Sequence, residues 1–383
     1  MKKIIINYLL MKKIFGKRNA LISTILLATF PAFIYYTARS MFHNVLFVSL
    51  LVIGVYFAYI MTRENKWKPK FFTFRLSYIN KKSWIYACLA GGFLGLAVAT
   101  RTSELLWIIP GGLVLWLFNI RKVGITKLIL FLASLWIALL PVLHWNQILY
   151  GAPLHGGYPE MNNSIESLKD TSGDLVTSTV QANMSTVTSL VAKAKNVLFY
   201  FGFNPDLAER MFVHYVVEMF PWLFWPAILG VFLFLQGAST WKKKHWAYLT
   251  TYIIISLILI YYYGSWKFHD NPDKASFTIG NSYTRYWLPV YMGALPFVSI
   301  VIGKFPAQIF SRNRSRLSVT LPNQDNFFKR FSRKFETRKL LAGIILLLLL
   351  IFLGYNMVYH VLYGSEEGLV YAVEDRRSME YQY

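Results

Sequence analysis

Arg101 closes one apolar run and Glu104 opens the next, with only Thr102 and Ser103 between them. A guanidinium held at so tight a link presents a planar fork of donors that matches a phosphate. Its plainer use is to snorkel from a helix end to water. Arg285, in NSYTRYWLP, repeats the arrangement: it begins another apolar run, with Tyr283 and Tyr286 beside it and Pro289 one turn further in. Arg39, in YYTARSMFHN, is a third such cation and is followed by His43 and Asn44. Glu218, close to His214, lies just inside an apolar run, where an ionisable group is a functional candidate by default. The alternative is an interfacial carboxylate reaching back to water.

The runs that carry these residues are membrane spans by length. Apolar stretches near 20–36, 45–61, 84–100, 104–119, 128–143, 213–236, 246–263, 283–303 and 340–363 are mostly long enough for a helix to cross the hydrocarbon core, about 17 to 25 residues. The spacing therefore predicts an all-α polytopic bundle of about nine transmembrane helices. Five basic segments alternate with them, 1–19, 62–83, 120–127, 237–245 and 304–339, and hold 29 of the 40 Lys and Arg residues but three of the 18 Asp and Glu residues. Short positive loops stay on the cytoplasmic side, so the N-terminus is expected inside and the C-terminus outside. On that count the inner face carries +26 and the remainder −4, consistent with the net +22. Arg39, Arg101 and Arg285 then fall on the outer side, where the charge bias predicts few cations.

The organisation read from this is a basic cytoplasmic leader over 1–19, a transmembrane bundle over 20–363 and an outside tail over 364–383. Outside loops are expected at 144–212 and 264–282, and the basic segment 304–339 is read as a cytoplasmic loop, with an interfacial helix as the alternative. Within the first outside loop, Val180–Val191 has helical spacing, and NVLFYFGFNP is apolar but too short to span.

Hydrophobic residues make up 55% of the chain and charged residues 15%, against about 25% in soluble domains. The high pI is explained by orientation and contact with anionic lipid rather than by nucleic acid, which would gather its basic residues on a soluble module. The single cysteine, Cys88, falls within a span and leaves the outside loops without an intramolecular disulfide. There is no Walker loop, G-x-S-x-G, H-E-x-x-H or cysteine cluster. GGFLG at 91–95 reads as small-residue helix packing. Asp270 and Asp273 offer oxygen ligands to a divalent ion, but two carboxylates three apart in a polar loop are ordinary, so no metal site or certain cofactor is assigned.

Four segments in order resemble a family. LGLAVATRTSELLWIIPGGLVLWL resembles the "ATRP" span pair of GT-C glycosyltransferases, the multi-pass group that includes protein O-mannosyltransferases and the lipid A aminoarabinose transferase. LLPVLHWNQILYGAPLHGGY resembles the span and turn that follow, YTRYWLPVYMGALP the late R-Y-x-x-P span, and FPAFIYYTARSMFHN an earlier segment that turns outside. The resemblance covers most of residues 20–303, and it implies transfer of a sugar from a polyprenyl-phosphate donor to an acceptor on the outer face. Partners so implied are that donor and the bilayer, with the acceptor unknown; the Lys, Asn and Ile usage hints at an AT-rich prokaryotic source, so the location expected is a prokaryotic plasma membrane, with the organism open.

By the same resemblance Arg101 and Arg285 would bind the donor phosphate, with Tyr158, Tyr283, Tyr286 and His269 near the phosphate or the sugar. The family's acidic base belongs to a first outside loop that would precede residue 1, by roughly 80 to 120 residues if two to three spans and their loops come before it. Where relatives carry Asp or Glu after the early segment, this chain has His43 and Asn44. The catalytic residue is therefore unknown, and His43 and Glu218 are the candidates for proton transfer. A lipid-linked oligosaccharide transporter or polymerase, and a non-catalytic membrane scaffold, stay open as other readings.

Overall fold

The computed structural model describes residues 2–38, 43–63, 81–157, 202–237, 242–270, 277–317, 325–363 and 368–380, together with a few isolated positions between 159 and 199. Helix is the sole regular structure among the described residues. The chain forms two compact units. One comprises Met1–Val45, Val213–Tyr252 and Phe268–Tyr383, and the other Leu46–Phe212 and Ile253–Lys267.

In the first unit, α1 (Lys2–Phe15) and α2 (Lys17–Ala28) pack together. Leu10, Met11 and Ile14 of α1 are buried. Phe15 contacts the rings of Phe234, Tyr248 and Phe297. Pro31 opens α3 (Pro31–Ala38) at a 50° bend from α2, because proline cannot donate into a continuing helix. Downstream, α8 (Pro221–Gln236) lies against α11 (Leu288–Leu317). Gly230 permits that approach: a Cβ there would sit 2.1 Å from the Phe297 carbonyl oxygen. Phe30 meets the rings of Phe220, Trp222 and Tyr291 in tilted and edge-on contacts, and Phe220 meets Tyr291 edge-on.

The second unit is built on α4 (His43–Arg63, from Leu46 onward), α5 (Lys81–Thr100) and α6 (Leu105–Tyr150). The helical run of α6 breaks at Gly124, whose φ of 68° suits glycine. Val123 before the break clusters with Met61 and Ala87, while Phe131 and Leu135 after it meet Gly91 and Gly95. The pairings 91–131 and 95–135 rise together, so the second arm runs parallel to α5. The first arm returns antiparallel from the short link at Arg101–Glu104, and α6 is therefore a helical hairpin. Added Cβ atoms at Gly91 and Gly95 would lie 2.1 and 2.6 Å from carbonyl oxygens of the second arm, so GGFLG is a small-residue packing seam as its spacing predicts. Ile129, Leu132, Trp136, Ile137 and Leu140 point away from the protein, which in a bilayer gives them lipid as their solvent.

Five helices are long and apolar enough to cross a membrane, or seven if each of two bent pairs is one span, among the described residues. Nine runs were expected, and the difference has two sources. The Gly124 hairpin carries two of them in one helical run, and Leu288–Lys304 is a shorter apolar helix. Helix continues past residue 144, where a loop was expected, as far as Tyr150, and Gly151 ends it as a left-handed C-cap with φ 77°. In the basic segment 304–339, helix extends to Leu317 and resumes in α12 at Asp325 (Asp325–Asn356). The Val180–Val191 pattern lies outside the described residues.

Candidate functional site

Arg285 sits on α10, a short helix over Ser282–Tyr286. Asn281 starts it by accepting the Tyr283 amide on its side-chain oxygen at 3.0 Å. The turn before it is pinned from α3: the Tyr36 hydroxyl is 2.8 and 2.9 Å from the carbonyl oxygens of Ile279 and Asn281. The guanidinium is half-buried, with Nη2 3.5 Å from Asp270 Oδ2, and it donates to the Ser282 hydroxyl, which in turn donates to Asp270. It also lies 5.2 Å from the centre of the Tyr286 ring. Phe268 packs on both Tyr283 and Tyr286, with ring centres 4.9 and 5.2 Å away. His269, between Phe268 and Asp270, is exposed. Tyr283, Tyr286, His269 and Arg285 are thus gathered on one loop and one helix turn, with a cation, a carboxylate and an aromatic wall.

Arg101 lies in the other unit and is buried. Its Nη2 is 2.9 Å from Glu104 Oε1 and donates to the Tyr263 hydroxyl at 3.3 Å. Glu104 accepts further bonds from that hydroxyl, at 2.7 Å, and from the Trp107 indole. Its side chain is 2% exposed, so a buried carboxylate is satisfied by one charged and two neutral donors. The residues were read as a cation ending one span and an acid opening the next. Their spacing of three, R-x-x-E, was the available signal for an ion pair. The Trp107 donor stands at the same spacing of three on the other side of Glu104, whereas the Tyr263 donor was not legible, being 159 residues away.

His43 is exposed at the start of α4, and Asn44 beside it is buried. Glu218 stands on the π-helical turn Val213–Glu218 and pairs with His214, Nδ1 to Oε2, at 2.7 Å. Tyr158, Arg39 and Asp273 lie outside the described residues. No group of three or more His, Cys, Asp and Glu side chains converges to hold a metal ion among the described residues.

Helix bundle and apolar lengths define a multi-pass membrane protein. Residues 2–76 match the model of the dolichyl-phosphate-mannose-protein mannosyltransferase family. No curated protein and no solved structure matches the chain.

Proposed function

We propose that the chain transfers a sugar from a polyprenyl-phosphate-linked donor to an acceptor at the outer face of a cell membrane. One observation carries the reading: Tyr36, within the segment matched by the mannosyltransferase family, is bonded directly into the turn that holds Arg285. A lipid-linked sugar reaches the protein within the bilayer, and its departing phosphate develops negative charge that a cation at the boundary stabilises. Arg285 suits that task because it is partly exposed and its guanidinium already engages a carboxylate, the side-chain group most like a phosphate. Tyr283, Tyr286 and the exposed His269 supply surfaces for the sugar. Arg101 is the second candidate for the phosphate, although Glu104 already occupies one side of its fork.

The test is turnover of polyprenyl-phosphate sugar by Arg285→Ala and Arg101→Ala. Loss of transfer at normal expression supports each assignment in turn, and unaffected turnover in both removes the phosphate site. Movement of lipid-linked sugar with no new glycosidic bond would mark a transporter instead.

A further inference from the structure

His214 and Glu218 form a dyad that the phosphate site does not use. They are four residues apart on the π-helical Val213–Glu218 turn, where the Met219 amide reaches back five residues to the His214 carbonyl at 3.1 Å. Such a register is rare and recurs at functional positions. Here it precedes a 97° break between Pro205–Glu218 and α8. The imidazole lies flat on Phe277, with ring centres 3.8 Å apart and planes 18° apart, while Nδ1 meets Glu218 Oε2 at 2.7 Å. Stacking fixes the plane of the ring and the carboxylate fixes one edge. The other edge, Nε2, makes no hydrogen bond among the described residues, and the His214 side chain is 30% exposed.

The dyad belongs to the same unit as Arg285. Phe277, under the imidazole, contacts Tyr215 at 5.6 Å, and Tyr215 contacts Tyr283 at 5.1 Å. Tyr283 is two residues from Arg285 on α10. A series of ring contacts therefore runs from the His214–Glu218 pair to the short helix that carries Arg285. Asp270 is less suited to take a proton, since Ser282 and Arg285 already engage its carboxylate.

We propose that His214 is the general base of the transfer and Glu218 the residue that orients it, an inference that rests on the glycosyl-transfer reading above. With Glu218 accepting the Nδ1 proton, the Nε2 lone pair removes the acceptor hydroxyl proton as that oxygen bonds to the anomeric carbon. The bond from the anomeric carbon to the phosphate oxygen breaks, and its electron pair leaves on the phosphate, where Arg285 meets the charge. The imidazolium, stabilised by Glu218, then returns its proton to water.

The experiment uses the full chain in membranes with radiolabelled polyprenyl-phosphate mannose, and follows transfer by wild type, His214→Ala, Glu218→Gln and Arg285→Ala. Expected are a fall of about 100-fold in kcat for His214→Ala with little change in donor KM, and about 10-fold for Glu218→Gln. Added imidazole should restore part of the His214→Ala rate, which a purely structural histidine would not allow. Wild-type rates in His214→Ala, or a loss that imidazole leaves unchanged, overturn the dyad while the Arg285 result stands. Should His214→Ala fail to fold, Glu218→Gln decides, and an unchanged kcat in it overturns the proposal. A wild-type chain that turns over no lipid-linked sugar overturns the transfer reading and the dyad with it.

Discussion

The Tyr36 hydroxyl lies 2.6 Å from Thr284 Oγ1, although 248 residues separate them. Thr284 in turn reaches the carbonyl oxygens of Ile279 and Asn281 at 2.6 and 2.7 Å, the same two acceptors that Tyr36 approaches. Two buried hydroxyls thus hold one turn, and that turn aims Arg285. Tyr36→Phe deletes one donor from a buried site. The expected cost is about 1–3 kcal/mol of stability, with a lower Tm in detergent and weaker transfer. A Tm equal to wild type would show that Thr284 alone suffices.

Arg101 and Glu104 test whether a buried pair serves structure. Removing either partner, as in Arg101→Met or Glu104→Leu, leaves the other charge buried and should cost about 3–5 kcal/mol. The double variant should recover much of that loss, read as a double-mutant cycle on thermal unfolding. If stability recovers while transfer stays absent, Arg101 also acts on the donor. If both recover, its role is structural.

Gly91 and Gly92 are adjacent but opposite in consequence. Gly91→Ala drives a methyl toward the Phe131 backbone, whereas nothing lies within 4 Å of a Cβ at Gly92. The first substitution should separate α5 from the second arm of α6 and reduce the yield of folded protein. Gly92→Ala should leave it near wild type. Equal yields by size-exclusion chromatography would mean that the seam can shift without penalty.

Asp270 competes with any anion for Arg285. Asp270→Asn should lower the donor KM by about 2- to 5-fold, the scale of a partly exposed ion pair. An increase in KM would indicate that the carboxylate instead holds the guanidinium in its working orientation.

The alternation of basic segments predicts an orientation that labelling can read. In a Cys88→Ser background, Ser365→Cys in the tail should react with an impermeant thiol reagent added outside intact cells, and Ser239→Cys should be protected. The reverse pattern would invert the topology.

The helical character of the apolar runs and the small-residue seam at 91–95 were legible in the sequence because each rests on local physics. Hydrocarbon thickness fixes the length of an apolar run, and helical spacing sets Gly91 and Gly95 on one face. The candidate cations at 101 and 285 were legible for the same reason, as departures from the charge bias around them. What those cations touch was not. Gly124 folds two expected spans into one hairpin through a single φ value, and Glu104 acquires Tyr263 across 159 residues. Tyr36 meets Thr284, and His214 lies on Phe277, by contacts of the same long-range kind. Side-chain patterning along a helix records which solvent each face meets, but a hydrogen bond between distant helices depends on their relative depth and rotation. Only packing of the folded chain decides those.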